Sequence, residues 1–133
     1  MTPGSALNST IELCASTYKI YIVPRDPRRL SCSVWSMVDP HYHDGVLWRQ
    51  NSGGFKAGRS FVRTGPPGLG DFMGFKFFTG QMMILEGKAG KDKISPNQAE
   101  LHELAHHQGA LAGVVSDWES CAALFESWGF RKR

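Results

Sequence analysis

No stretch of this 133-residue chain is apolar for long enough to span a bilayer, so no transmembrane helix is expected. The opening residues, MTPGSALNST, lack the basic-then-apolar order of a secretory leader, so none is expected either. Cysteine is scarce: Cys14, Cys32 and Cys121 lie far apart, and no Cys-x-x-Cys pair exists. A zinc ribbon or thioredoxin-like site is therefore unsupported, and free thiols in a reducing cytoplasm are expected. No internal repeat is present. No Gly-Lys-Ser/Thr follows the glycine cluster GPPGLG (65–70), which excludes a phosphate-binding P-loop. Neither sign of charge dominates: fifteen basic and twelve acidic residues give a net charge of +3. That surplus alone does not identify a nucleic-acid binder.

What the chain does contain is enough apolar residue, 41% against 20% charged, for one globular domain. The positive surplus is localised. Residues 1–45 balance four basic against four acidic side chains, whereas residues 49–93 hold eight basic and three acidic ones. A polyanionic partner fits that middle region. Residues 1–45 form an N-terminal segment of uncertain structure, with room for a first core helix, in which Ile11–Val23 mixes helical and strand character; the rest, 46–133, forms the core. VLWRQ (46–50), RSFVRT (59–64), DFMGFKFF (71–78) and QMMILEGK (81–88) read as strands, separated by the turn clusters NSGG, GPPGLG and Thr79-Gly80. The last of these strands is the most apolar and is expected at the centre of the sheet. Ser95-Pro96 starts a helix ending at Gly109, with Leu101, Leu104, Ala105 and Gln108 as its inner stripe. A short strand (110–115) and a helix from Trp118 to Trp128 follow. The order predicts an α/β fold with a mixed central sheet flanked by helices.

Three charged residues interrupt the apolar strands: Asp71, Glu86 and Lys88. Glu86 and Lys88 are two apart and share a strand face. If the Asp71 strand pairs antiparallel with the Glu86 strand, two carboxylates and one ammonium converge at one end of the sheet. Such a set suits phosphodiester hydrolysis. Carboxylate oxygens suit Mg²⁺ or Mn²⁺, a bound ion acidifies water, and a lysine can orient that water and offset growing negative charge. The Gly87 carbonyl, unobstructed by a side chain, is a further candidate ligand. An ordinary strand end and a turn cap would explain the same three residues on spacing alone.

GPPGLGD (65–71), LEGK (85–88) and ISPNQ (94–98), together with WRQNSG (48–53) and GALAGVVSDWES (109–120), resemble in order and spacing the VRR-NUC family of the PD-(D/E)XK nuclease superfamily. The resemblance spans residues 47–128 and implies a restriction-endonuclease-like core. It further implies a divalent-metal DNA endonuclease acting on branched or junction DNA in replication, repair or recombination. Asp71 and Glu86 would be metal ligands, Lys88 the catalytic lysine and Gln98 a fourth site residue. A homodimer in the cytoplasm of a bacterial or phage-infected cell is implied as well. Arg49, Lys56, Arg59, Arg63, Lys91 and Lys93 are the candidate DNA contacts, with a solvated surface as the alternative for each. The family carries a glutamate that joins the site on a helix before its first strand; here the only upstream glutamate, Glu12, is the candidate for that metal-binding place, with a segment carrying Pro24, Pro27 and Pro40 between it and that strand.

A competing motif is present. His102-Glu103-Leu104-Ala105-His106 matches the H-E-x-x-H signature of zinc metalloproteases. The third histidine of the metzincin pattern falls at Ala112, and a third glutamate ligand would have to be Glu119 or Glu126, near the C-terminus. A non-catalytic DNA-binding module of the same fold is the remaining alternative. His41, His43 and Asp44 read either as a metal-binding group or as a surface turn, and Arg131-Lys132-Arg133 as a DNA-touching or frayed tail.

Overall fold

The computed structural model describes residues 3–24, 34–50, 54–63 and 70–133, with backbone alone at 34, 54–57 and 61–63. The elements are α1 (Pro3–Ser16), β1 (Ile20–Ile22), a 3-10 turn (Val34–Met37), β2 (Gly45–Arg49), β3 (Gly54–Ala57), β4 (Ser60–Arg63), β5 (Phe72–Lys76), β6 (Met82–Gly87), α2 (Pro96–His107), β7 (Leu111–Val115) and α3 (Trp118–Ser127). Five strands form one mixed sheet in the order β1-β2-β5-β6-β7, while β3 and β4 pair separately as a hairpin. The pairings β2–β5 and β5–β6 are antiparallel; β1–β2 and β6–β7 are parallel. The molecule is thus α/β, with a mixed sheet flanked by three helices, and β6 takes the interior place its apolar sequence predicts.

Strand alternation sorts the core into two faces. Leu47, Phe72, Met83, Leu85 and Val115 face α1 and α3, meeting Leu7, Ile11, Cys14, Cys121 and Phe125. Met73, Ile84 and Ala112 face the other way, meeting Ala105 of α2, with Trp48 and Leu101 packed at the margin. No helix among the described residues is long and apolar enough to cross a membrane.

One expectation changes, and two open readings gain a structure. The N-terminal segment contains a full helix, α1, whose buried residues Leu7, Asn8, Ile11, Cys14 and Ala15 follow helical spacing. Pro24, Pro27 and Pro40 all lie beyond it in the chain. In α2 the buried stripe is rotated: His102 and Ala105 face inward, whereas Leu104 and Gln108 are exposed. The physical reason is that α2 docks on the short edge strand β7, where His106 Nε2 reaches the Ala112 carbonyl at 3.2 Å. The C-terminal tail is tied down rather than frayed. Arg131 pairs with Asp44 at 2.6 Å, Lys132 with Glu126 at 3.5 Å, and Arg133 Nε donates to the Tyr18 carbonyl at 3.0 Å. Arg131 holds the Asp44 carboxyl below the usual range.

Gly74, mid-strand in β5, marks a close approach between β5 and β2. A Cβ there would overlap the Val46 carbonyl oxygen of β2. Only glycine lets the two strands close at this point. Cys32, residues 51–53 of the NSGG turn and residues 65–69 of GPPGLG lie outside the described residues.

Candidate active site

The register of the sheet assembles the site. In β5–β6, Phe72 pairs with Leu85, so Asp71 and Glu86 stand opposite one another one step past the ladder. In β2–β5, Arg49 pairs with Phe72, and the next pair is Gln50 with Asp71, joined by Gln50 N–H donating to the Asp71 carbonyl at 2.7 Å. Gln50, Asp71 and Glu86 therefore form one row across three strands, on the face that α2 covers. The row behind it is Trp48, Met73, Ile84 and Ala112, wholly apolar. A polar row thus ends an apolar face.

Glu86 is only 3% exposed. Its Oε2 is buried with no hydrogen-bond partner among the described residues. Burial is the main reason its carboxyl is pushed up to about 8, and hydrogen bonding and repulsion from Asp71 add to it; the Lys88 charge and the Gln98 amide act in the opposite sense. Glu86 therefore keeps its proton into the neutral range, directed at Asp71. Lys88 Nζ lies 3.9 Å from Glu86 Oε1. Asp71 Oδ2 accepts the Gly87 N–H at 2.9 Å.

Gly87 sits in a tight space. A Cβ there would stand 3.1 Å from Ile11 Cδ1, 3.2 Å from Leu7 Cδ2 and 3.5 Å from Asp71 Oδ2. The glycine is wedged between α1 and the aspartate, which explains a weak strand former at this point.

Gln98 reaches the site from the start of α2. Ser95 caps the helix, and the reciprocal bond of the capping box runs from Ser95 N–H to Gln98 Oε1 at 2.7 Å. With its oxygen engaged at the cap, the Gln98 amide group is left to face Glu86.

Asp71, Glu86, Lys88 and Gln98 are thus brought together as expected. Glu12 sits on α1, and its Oε1 is buried; among the described residues no three His, Cys, Asp or Glu side chains form a group able to hold a metal. Arg49 lies over the Phe72 ring at 5.9 Å. Arg59 is exposed at the turn of the β3–β4 hairpin, and Lys91 and Lys93 are exposed on the loop leaving β6. The side chains of Lys56 and Arg63 lie outside the described residues. Gln50 is the site residue that motif reading passes over; its signal is the two-residue step from Trp48, which places both on one strand face.

The H-E-x-x-H residues take up other roles. His102 is buried against the sheet, and burial lowers its tendency to protonate. His106 is occupied with the Ala112 carbonyl, while Glu103 is 78% exposed and lies 3.9 Å from His107. The His41–Asp44 segment is a turn: His43 Nδ1 accepts the Asp39 N–H at 3.0 Å, and Asp44 holds Arg131. Comparison with protein-family models, curated proteins and solved structures returns no match to this chain.

Proposed function

We propose that the chain is a magnesium- or manganese-dependent DNA endonuclease of VRR-NUC type with a restriction-endonuclease-like core. The observation that carries this reading is the burial of Glu86 against Asp71 at the polar end of an apolar sheet face. A buried carboxyl that holds its proton through desolvation and a neighbouring carboxylate forms a site where a small hard cation could take that proton's place. The partnerless buried Oε2 of Glu86 fits the same requirement. Asp71 and Glu86 would hold the ion, with the Gly87 carbonyl as a further candidate and water or phosphate oxygens completing the shell. When bound, such an ion supplies Lewis-acid activation of the phosphate and of water.

The protein's own part is positional and electrostatic. Lys88 orients the attacking water and offsets the charge that grows on the phosphate oxygens. Gln98 directs its amide at Glu86 from the start of α2. A bond forms from the water oxygen to phosphorus as the bond to the 3′ oxygen breaks, leaving a 3′-hydroxyl and a 5′-phosphate. Lys91 and Lys93, exposed on the loop that follows Lys88, would contact DNA backbone. The resemblance in sequence, the mixed sheet and the helices on its two faces support the same reading; the resemblance alone extends it to branched DNA and a homodimer.

The test is cleavage of labelled duplex, flap and four-way DNA in magnesium, manganese and EDTA. Metal-dependent cutting of at least one substrate is expected. Metal-independent binding without cutting would instead mark a DNA-binding module, and no interaction with any substrate would remove the nuclease reading.

A further inference from the structure

The amide of Gln50 has only one possible orientation. Trp48 Nε1 lies 3.2 Å from Gln50 Oε1. An indole N–H can donate but never accept, so the amide oxygen must face it and the NH₂ group must point away. Trp48 is itself fixed by packing against Met73, Ile84, Ala105 and Ala112. The backbone bond from Gln50 N–H to the Asp71 carbonyl at 2.7 Å sets the residue beside Asp71.

Gln98 repeats the arrangement on the other flank. Its oxygen is engaged by a backbone N–H that is likewise donor only, that of Ser95 at 2.7 Å. The carboxylate row is therefore bracketed by two glutamines, one from β2 and one from α2. Each has its oxygen engaged away from the carboxylates and its NH₂ group turned to the site, that of Gln98 toward Glu86. Neutral donors suit this position, because they attract an anionic oxygen without competing as cations for Asp71 and Glu86.

Resting on the nuclease reading above, the geometry points to Gln50 as a substrate-contacting residue, donating from its NH₂ group to a non-bridging oxygen of the phosphate at the scissile bond. Trp48 is the positioning residue that keeps the donors aimed there.

The test compares native protein with Gln50→Leu, Gln50→Glu and Trp48→Phe in manganese titrations and steady-state cleavage of the best DNA substrate. Gln50→Leu should lower kcat/KM by about 10- to 100-fold, the range of a lost hydrogen bond to a charged group. Its half-saturating manganese concentration should stay unchanged. Gln50→Glu keeps the acceptor for Trp48 but puts a negative charge where the phosphate oxygen lies, and should be worse than leucine. Trp48→Phe should fall between native and leucine. Equal kcat/KM for native protein and a folded Gln50→Leu variant, with melting checked in parallel, overturns the inference while leaving the nuclease reading intact. So does a loss that excess manganese restores, because Gln50 would then act only through Asp71. A native protein that cuts no DNA overturns both.

Discussion

Asp71 Oδ2 accepts the backbone N–H of Gly87 at 2.9 Å, reaching past Glu86, the residue that faces it across the strands. One carboxylate is thereby anchored to the backbone of the strand that carries the other. The separation of the two acids is fixed by sheet register rather than by side-chain choice, and the consequences can be measured.

The first concerns protons. Glu86 has a folded-state carboxyl near 8 against an ordinary value of 4.5. The folded state thus holds this proton more tightly than the unfolded chain does. Its contribution to stability is complete below about pH 4.5 and is lost as pH rises through about 8. Metal-free protein should melt at progressively lower temperature across that window, and Glu86→Gln should flatten the profile. Because a cation would displace the proton, magnesium or manganese affinity should rise with pH over the same range. Identical pH–melting profiles for native and Glu86→Gln protein would contradict the assignment.

Lys88→Ala should reduce cleavage by roughly 10²–10⁴-fold, the range of positioned acid–base groups. DNA binding, measured by anisotropy in calcium, should remain largely intact. Unchanged cleavage would remove Lys88 from the site.

Gly74→Ala should destabilise the fold by about 3 kcal/mol or more, because the added methyl meets the Val46 carbonyl oxygen, a backbone atom with nowhere to go. Melting temperature should drop by roughly 10 °C. A drop of only a degree or two would mean that β2 and β5 can part locally at no cost.

Glu103→Ala should leave stability and DNA cleavage unchanged, since the carboxylate is exposed and lies 3.9 Å from His107. Under a zinc-protease reading the same substitution removes the general base. Loss of a measurable peptidase activity in this variant would favour that reading.

The strands were legible because their apolar alternation is broken by turn residues, and α2 because Ser95, Pro96 and Gly109 mark its ends. The Asp71–Glu86–Lys88 set was legible for a related reason: charge at the end of an apolar strand stands out. Three features were not. The buried residues of α1 alternate with small polar ones, and β-branched and aromatic residues follow at 20–23, so the helix and the next strand blur together. The rotation of α2 depends on His106 meeting a carbonyl of β7, a tertiary contact with no local trace. Gln50 becomes visible only once the β2–β5 register is known, because nothing in its own neighbourhood says which residue it will face.

Gly87 has neighbours of opposite kinds within a few ångströms: Leu7 and Ile11 on one side, the Asp71 carboxylate on the other. No insulating layer separates the oily interior from the charged end of the sheet; the partition is one residue thick. A change of volume at Leu7 or Ile11 is therefore passed on as a displacement of the acid. Activity in this molecule would report how well α1 is seated long before global melting does.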